Sequence, residues 1–175
     1  MAHALTALRL VLVLPLAAAF ARPELLLPGV VALLLSVGIV TDVLDGRVAR
    51  MTGSASAWGR LFDHGTDCLF VTGGLAGAAM TGAVTPLLPV LIPIAFGQYV
   101  VDSYVWHRQR QLRVSVLGRW NGVLYFVPLV LIAAARLQRP GDAFLLEAAG
   151  VLGYVLVAST VVSVIDRATT RVRPH

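Results

Sequence analysis

Four of the nine acidic residues of this chain lie within 26 positions. They are Asp42, Asp45, Asp63 and Asp67, and the sequence around them is largely apolar. Carboxylates gathered in this way repel one another, and near lipid they need a positively charged partner. The type and the spacing of these residues therefore predict a cation site, and the neighbouring residues indicate which chemistry the cations would support.

The first two aspartates fall on one face of a predicted helix. At 100° per residue, Asp42 and Asp45 share an arc with Gly46, Ala49 and Arg50. The two small residues would let a phosphate or a nucleotide approach the backbone closely. Arg50 can bridge a phosphate oxygen.

The second pair of aspartates forms a stripe on the next helix. Gly59, Asp63 and Asp67 follow one another at intervals of four residues, which is one helical turn. The polar residues 52–56 between the two helices favour a turn, so the helices can run antiparallel. The two acidic stripes are then expected to face each other.

Divalent cations are the expected partners of four facing carboxylates, because Arg50 supplies only one positive charge. Oxygen ligands without clustered Cys or His favour Mg²⁺ or Mn²⁺ over Zn²⁺. The single cysteine, Cys68, also excludes a disulfide framework. Four carboxylates can hold two ions, and a pair of ions suits displacement at phosphorus because it stabilises both the entering and the leaving oxygen.

The composition places these helices in a membrane. The chain is 58% hydrophobic and 13% charged, with a mean hydropathy of +0.82, whereas soluble domains carry about 25% charged residues. We predict an all-α membrane protein with one domain over residues 1–175 and six transmembrane helices. The expected spans are Ala4–Phe20, Pro28–Val43, Trp58–Met80, Pro86–Trp106, Val116–Ala135 and Ala143–Ile165.

Arginine sets the predicted orientation, since the chain has no lysine. With six spans, ten arginines fall on one side and three on the other, which indicates that the arginine-rich side is cytoplasmic. Both termini and the aspartates are then cytoplasmic, in a multi-pass protein of the inner membrane. The net charge of +5 reflects this topology and contact with anionic lipids, and not nucleic-acid binding.

The motif as a whole resembles the signature of a known family. Asp42-x-x-Asp45-Gly46-x-x-Ala49-Arg50, eight further residues and Gly59-x-x-x-Asp63-x-x-x-Asp67 match every defining position of the CDP-alcohol phosphatidyltransferases. The resemblance implies an enzyme that transfers the phosphatidyl group of CDP-diacylglycerol to an acceptor hydroxyl and releases CMP. It also implies a homodimer.

Roles for individual residues follow from the same resemblance. Two divalent metals would be bound by Asp42, Asp45, Asp63 and Asp67. Asp67 would also be the base that accepts the proton of the acceptor hydroxyl. The nucleotide phosphates would lie in a cradle made of Gly46, Ala49, Arg50 and Gly59.

The acceptor is less closely defined. Glycerol 3-phosphate or another polar or phosphorylated alcohol is expected, bound by Arg108, Arg113 and Arg119 between spans four and five. Contact with lipid headgroups is an alternative role for these arginines. His64 and Cys68 occupy positions where relatives that use glycerol phosphate often carry Pro and Lys, which weakens assignment to that branch.

Three further features leave alternatives open. Arg9 lies inside the first apolar segment, where snorkelling to the membrane surface is the simpler interpretation and reach toward the site is the alternative. Gly73 and Gly77 favour close helix packing, or else a dimer face. For the whole protein, a cation transporter and a catalytically silent membrane scaffold are the alternatives to an enzyme.

Overall fold

Helices make up all the regular structure in the part of the chain described. The structure is a computed structural model and describes residues 2–51, 57–102, 116–138 and 143–170. Its helices are α1 (Ala2–Ala21), α2 (Pro28–Met51), α3 (Ala57–Met80), α4 (Leu87–Val101), α5 (Val116–Leu124), α6 (Phe126–Leu137) and α7 (Ala143–Thr170). Only Tyr125 separates α5 from α6, so these two follow one another as a single pass.

The helices confirm the all-α prediction. Each of the six apolar segments expected from the sequence is helical over its described residues, apart from Pro86 directly before α4, and the fifth is divided at Tyr125. By length and composition, two described stretches can cross a membrane, Leu117–Leu137 and Ala143–Thr169. Shorter apolar helices run over Leu5–Ala21, Pro28–Leu44 and Leu87–Val101. Crossing by all six segments stays a prediction.

Contacts between helix ends define the directions of the passes. Arg9, in the first half of α1, reaches Asp67 in the first half of α3, and Gly77 near the end of α3 packs on the last turns of α1, so these two helices run parallel. At the other end of the bundle, Arg136 of α6 donates hydrogen bonds to the carbonyl oxygens of Ala19 (2.8 Å) and Phe20 (3.0 Å). These carbonyls belong to the last turn of α1, where no helical N–H is available to them. Arg136 therefore caps α1 from a distant part of the sequence.

The core lies where α1, α3 and α6 meet. Leu16, Phe20, Phe70, Leu75 and Leu129 are completely buried there. Lipid tails are as apolar as these side chains, so transfer out of water does not hold the helices to one another. Close van der Waals packing and a small number of polar contacts stabilise the bundle instead.

Glycines of α3 allow α1 to approach closely. A Cβ atom on Gly77 would meet the carbonyl oxygen of Ala17 and would lie 3.0 Å from the backbone nitrogen of Ala21. A Cβ atom on Gly73 would lie 3.0 Å from a methyl group of Val13. The packing predicted for the two glycines is confirmed, and it lies within one chain.

We predict that Gly77→Val lowers the thermal stability of the protein. The added side chain would collide with the backbone of α1, and overpacking of this kind costs about 1–3 kcal/mol. The check is the melting temperature of the detergent-solubilised protein. The control is Gly97→Ala in α4, whose Cβ atom would meet nothing within 4 Å. Equal melting temperatures for the two variants would contradict the prediction.

Candidate active site

Two antiparallel helices present the described aspartates at one end of the bundle. Asp42 lies in the second half of α2, and Asp63 and Asp67 lie one turn apart in the first half of α3. Residues spaced by four share a face of a helix, so both α3 carboxylates point the same way. All three side chains are partly exposed, at 34%, 23% and 20% in chain order.

Arg9 joins the three carboxylates. Its Nη1 atom lies 3.3 Å from Oδ1 of Asp42 and 3.5 Å from Oδ1 of Asp63, and its closest contact is Oδ1 of Asp67. The Arg9 side chain is completely buried. The snorkelling interpretation of Arg9 is therefore wrong. Because α1 packs against both α2 and α3, the guanidinium meets carboxylates before it can reach water.

The remaining residues of the motif lie on the same helices. Asp45, Gly46, Ala49 and Arg50 belong to the last two turns of α2, but their side chains lie outside the described part of the structure. Gly59 belongs to the first turn of α3 and is half-buried. The backbone thus agrees with the two predicted stripes, while the contacts of the α2 motif side chains stay predictions.

The donor atoms fit a divalent cation. Asp63, His64 and Asp67 each offer one ligand atom, and these atoms lie within 4.8 Å of one another. The carboxylates of Asp42, Asp63 and Asp67 also converge on a single cationic nitrogen, as they would have to converge on a metal ion. Carboxylate oxygens are the ligands that hard cations such as Mg²⁺ prefer. The described residues are therefore suited to hold the metal that the sequence predicts.

His64 lies beside this cluster, although it is not part of the acidic stripe of α3. Its Nδ1 atom is 4.0 Å from Oδ2 of Asp67, and its side chain is 47% exposed. His64 follows Asp63 directly, so its imidazole points about 100° away from Asp63 around the helix, to one side of the acidic stripe. Sequence spacing alone does not reveal a neighbour of this kind.

A cavity of about 580 Å³ opens beside the aspartates. Asp42, His64 and Asp67 line one part of it, and helices α2 to α7 all contribute to its wall. Much of the wall is apolar, with Ile39, Val71, Ile92, Ala95, Phe96 and Val123 among its residues. A mostly apolar cavity with a few converging polar groups is the usual form of a small-molecule site.

Two arginines line the same cavity. Arg119, one of the predicted acceptor residues, stands in the first half of α5 and is exposed. Arg167 was not predicted; it comes from α7, and its guanidinium carbon lies 4.9 Å from the centroid of the Tyr99 ring. This cation–π contact orients the guanidinium. Arg108 and Arg113 lie outside the described residues.

The sequence of α7 contains a pattern that indicates where Arg167 lies. Thr160, Ser163 and Arg167 are spaced by three and four residues, so they form one polar stripe on an otherwise apolar helix. All three line the cavity, and the first two are buried. A polar stripe of this kind in the last span marks the face that points into the bundle.

Hydrogen bonds tie α7 to the α5–α6 pass beside the cavity. The hydroxyls of Tyr125 and Thr160 are 2.7 Å apart, and Thr160 donates to the carbonyl oxygen of Leu156 at 2.6 Å. The hydroxyl hydrogen of Thr160 is used in the bond to Leu156, so the hydroxyl of Tyr125 is the donor in its bond to Thr160. Ser159 donates to Oδ1 of Asn121 at 2.7 Å. These bonds hold the helices that carry Arg119 and Arg167 in register with each other.

The comparisons with known proteins agree with this arrangement. The family model of the CDP-alcohol phosphatidyltransferases matches residues 1–165, nearly the whole chain. The chain belongs to this family and is an enzyme of this class. The family transfers a phosphatidyl group from a CDP-alcohol to an acceptor alcohol in a membrane, and it uses divalent metals. No curated protein and no solved structure matches the chain.

We predict that Asp63→Asn weakens Mn²⁺ binding by about tenfold or more. Removing one carboxylate charge from a shared site loses at least one charge-assisted contact, and tenfold corresponds to about 1.4 kcal/mol. Titration calorimetry on the detergent-solubilised protein measures the dissociation constant. Asp166→Asn is the matched control, because it makes the same chemical change at an exposed position of α7. The same affinity in both variants would argue against a metal at Asp63.

Proposed function

We propose that this enzyme transfers the phosphatidyl group of CDP-diacylglycerol to the hydroxyl of a phosphorylated alcohol, with CMP as the second product. Glycerol 3-phosphate is the first acceptor to test, and other polar or phosphorylated alcohols follow. One observation carries the proposal: Asp67 and two arginines from other helices, Arg119 and Arg167, line a single cavity. A carboxylate that can accept a proton and cations that can hold a phosphate thus share one space.

The metals are proposed to be two Mg²⁺ or Mn²⁺ ions. Asp42, Asp45, Asp63 and Asp67 would hold them, which extends the convergence seen for the three described carboxylates. When bound, the ions would neutralise the pyrophosphate of the CDP-linked lipid and the charge that develops on the entering and leaving oxygens. The other parts of the reaction belong to side chains of the chain itself.

Asp67 is the proposed base. Its Oδ1 atom contacts Arg9, whereas Oδ2 faces His64 across 4.0 Å at the cavity wall. Oδ2 would accept the proton as the acceptor oxygen forms its bond to the phosphorus on the lipid side. The bond between that phosphorus and the bridging oxygen breaks, and this oxygen leaves with CMP.

Arg119 and Arg167 would bind the phosphate of the acceptor. Guanidinium groups pair with phosphate through two parallel hydrogen bonds, and the contact with Tyr99 limits the directions that Arg167 can take. The apolar walls, including Ile92 and Phe96, would keep water away from the phosphorus. Exclusion of water favours transfer to the alcohol over hydrolysis of the CDP-linked lipid.

The other sequence predictions remain parts of this proposal. Gly46, Ala49, Arg50 and Gly59 would form the nucleotide cradle, and Arg108 and Arg113 would assist the acceptor arginines. The site would face the cytoplasm from the inner membrane. A homodimer, which the family resemblance implies, is also proposed.

Release of CMP tests the proposal. Purified protein is incubated with CDP-diacylglycerol, Mn²⁺ and a panel of alcohols with and without phosphate. CMP should appear with a phosphorylated acceptor, should be lost in Asp67→Asn, and should persist in the control Asp166→Asn. If no acceptor gives CMP, and the protein forms dimers normally but does not bind CDP-diacylglycerol, the proposed reaction is wrong and a catalytically silent scaffold is favoured. Flux of Mn²⁺ through liposomes that is lost in Asp63→Ala would instead indicate a transporter.

We predict that Arg119→Gln and Arg167→Gln each raise the KM for the phosphorylated acceptor about tenfold. A hydrogen bond to a charged group contributes about 1.5–3 kcal/mol, and each 1.4 kcal/mol is one factor of ten. The KM for CDP-diacylglycerol should change much less, and steady-state CMP release measures both constants. Arg22→Gln is the control, since Arg22 is exposed after the C-terminal end of α1, away from the cavity. An acceptor KM that stays at the wild-type value in both cavity variants would exclude the two arginines as phosphate ligands.

A further inference from the structure

Arg9 belongs to no part of the acidic motif, yet it lies at the centre of the described aspartates. Its side chain is completely buried in α1, and one of its nitrogens contacts an oxygen of Asp42, of Asp63 and of Asp67. The oxygen is Oδ1 in each case. The guanidinium thus occupies the point at which the three carboxylates converge.

A metal ion at this cluster would need some of the same oxygens. A carboxylate oxygen directed at the guanidinium nitrogen can bind a metal only if the two cations share it or the guanidinium moves away. Sharing brings two positive charges close together in a partly buried place, where electrostatic repulsion is stronger than in water. Arg9 and the metals are therefore alternatives for the same negative charge.

We infer that Arg9 is a resident counter-ion that competes with the divalent metals for Asp42, Asp63 and Asp67. In the metal-free enzyme it holds the acidic ends of α2 and α3 together, and in the metal-bound enzyme it weakens the affinity for the ions. This inference rests on the metal site of the proposed function. It makes Arg9 a positioning residue, because its effect on the reaction passes through the aspartates.

The position of Arg9 on α1 supports this role. α1 packs against both α2 and α3, and Gly73 and Gly77 allow it to lie close to α3. The guanidinium is therefore held by a rigid helix contact and not by a mobile surface loop. Without its charge, three carboxylates on two neighbouring helices would repel one another and push those helices apart.

Competition and simple support predict opposite changes in metal affinity. If Arg9 only supported the fold, its removal would loosen the cluster and weaken metal binding. If Arg9 competes with the metals, its removal takes a positive charge away from the carboxylates, and metal binding becomes tighter. The stability of the metal-free protein falls in both cases, so the dissociation constant for the metal separates them.

The experiment compares Arg9→Gln and Arg9→Lys with the wild type. Calorimetric titration of each metal-free, detergent-solubilised protein with Mn²⁺ gives the dissociation constant, and thermal unfolding with EDTA or with saturating Mn²⁺ gives the stability. We expect Arg9→Gln to bind Mn²⁺ at least about tenfold more tightly, to melt at a lower temperature in EDTA, and to gain more stability from Mn²⁺ than the wild type does. Arg9→Lys keeps the charge on a single ammonium without the planar fork of arginine, so its affinity should fall between the two.

Arg136→Gln is the matched control. Arg136 also fastens α1, but it does so through the carbonyl oxygens of Ala19 and Phe20 at the end of the bundle away from the aspartates. This variant should lose thermal stability and keep the wild-type affinity for Mn²⁺. Loss of α1 packing alone would then not account for a change in affinity.

Each outcome decides the inference. A wild type that binds no Mn²⁺ would overturn both the metal site and the role of Arg9. Binding by the wild type, with an affinity in Arg9→Gln that is unchanged or weaker, would overturn the role of Arg9 alone. If Arg9→Gln does not fold, Arg9→Lys decides in the same way, because competition requires it to bind Mn²⁺ more tightly than the wild type.

Discussion

Like charges held close together in an apolar bundle are the constraint on which this structure depends. Asp42, Asp63 and Asp67 repel one another where water screens them poorly, so a cation between the carboxylates stabilises the contact between the helices that carry them. In the described part of the chain, Arg9 supplies that cation from a third helix. The packing of α1 onto α2 and α3 therefore also assembles the acidic site. A metal ion that enters the site meets an arrangement that is already shaped for positive charge.

Contacts far from the aspartates also stabilise the positions of the helices that carry them. Gly73 and Gly77 set the distance between α1 and α3, and Arg136 fastens the opposite end of α1 through two carbonyl oxygens. Among apolar helices in lipid, such close approaches and buried hydrogen bonds replace the hydrophobic driving force that holds soluble bundles together. The bond between Tyr125 and Thr160 does the same for the helices on the other side of the cavity. Each of these contacts limits sliding between helices, and sliding would separate the charged groups.

The cavity combines two environments that the proposed reaction needs. Carboxylates and arginines enter it from different helices, and apolar side chains make up much of the wall between them. A CDP-linked lipid has the same division, with a charged pyrophosphate and long acyl chains. Electrostatic interactions are also stronger beside an apolar wall than in open water, so a few charged side chains can orient two polar substrates.

The spacing of the aspartates predicted both acidic stripes and the cation chemistry, because residues within one helix have relative directions fixed by 3.6 residues per turn. The family followed from the resemblance of this motif to a known signature. Long apolar segments likewise predicted the helices, since each must satisfy its own backbone hydrogen bonds. The meeting of Arg9 with Asp67 and of Arg167 with Tyr99 was decided by tertiary structure alone. Both arginines are present in the sequence, but their partners lie on other helices. Neither the periodicity of a helix nor its hydropathy determines how that helix is rotated relative to its neighbours. That rotation results from packing among many side chains at once. It places Arg9, which was expected at the membrane surface, at the centre of the acidic site.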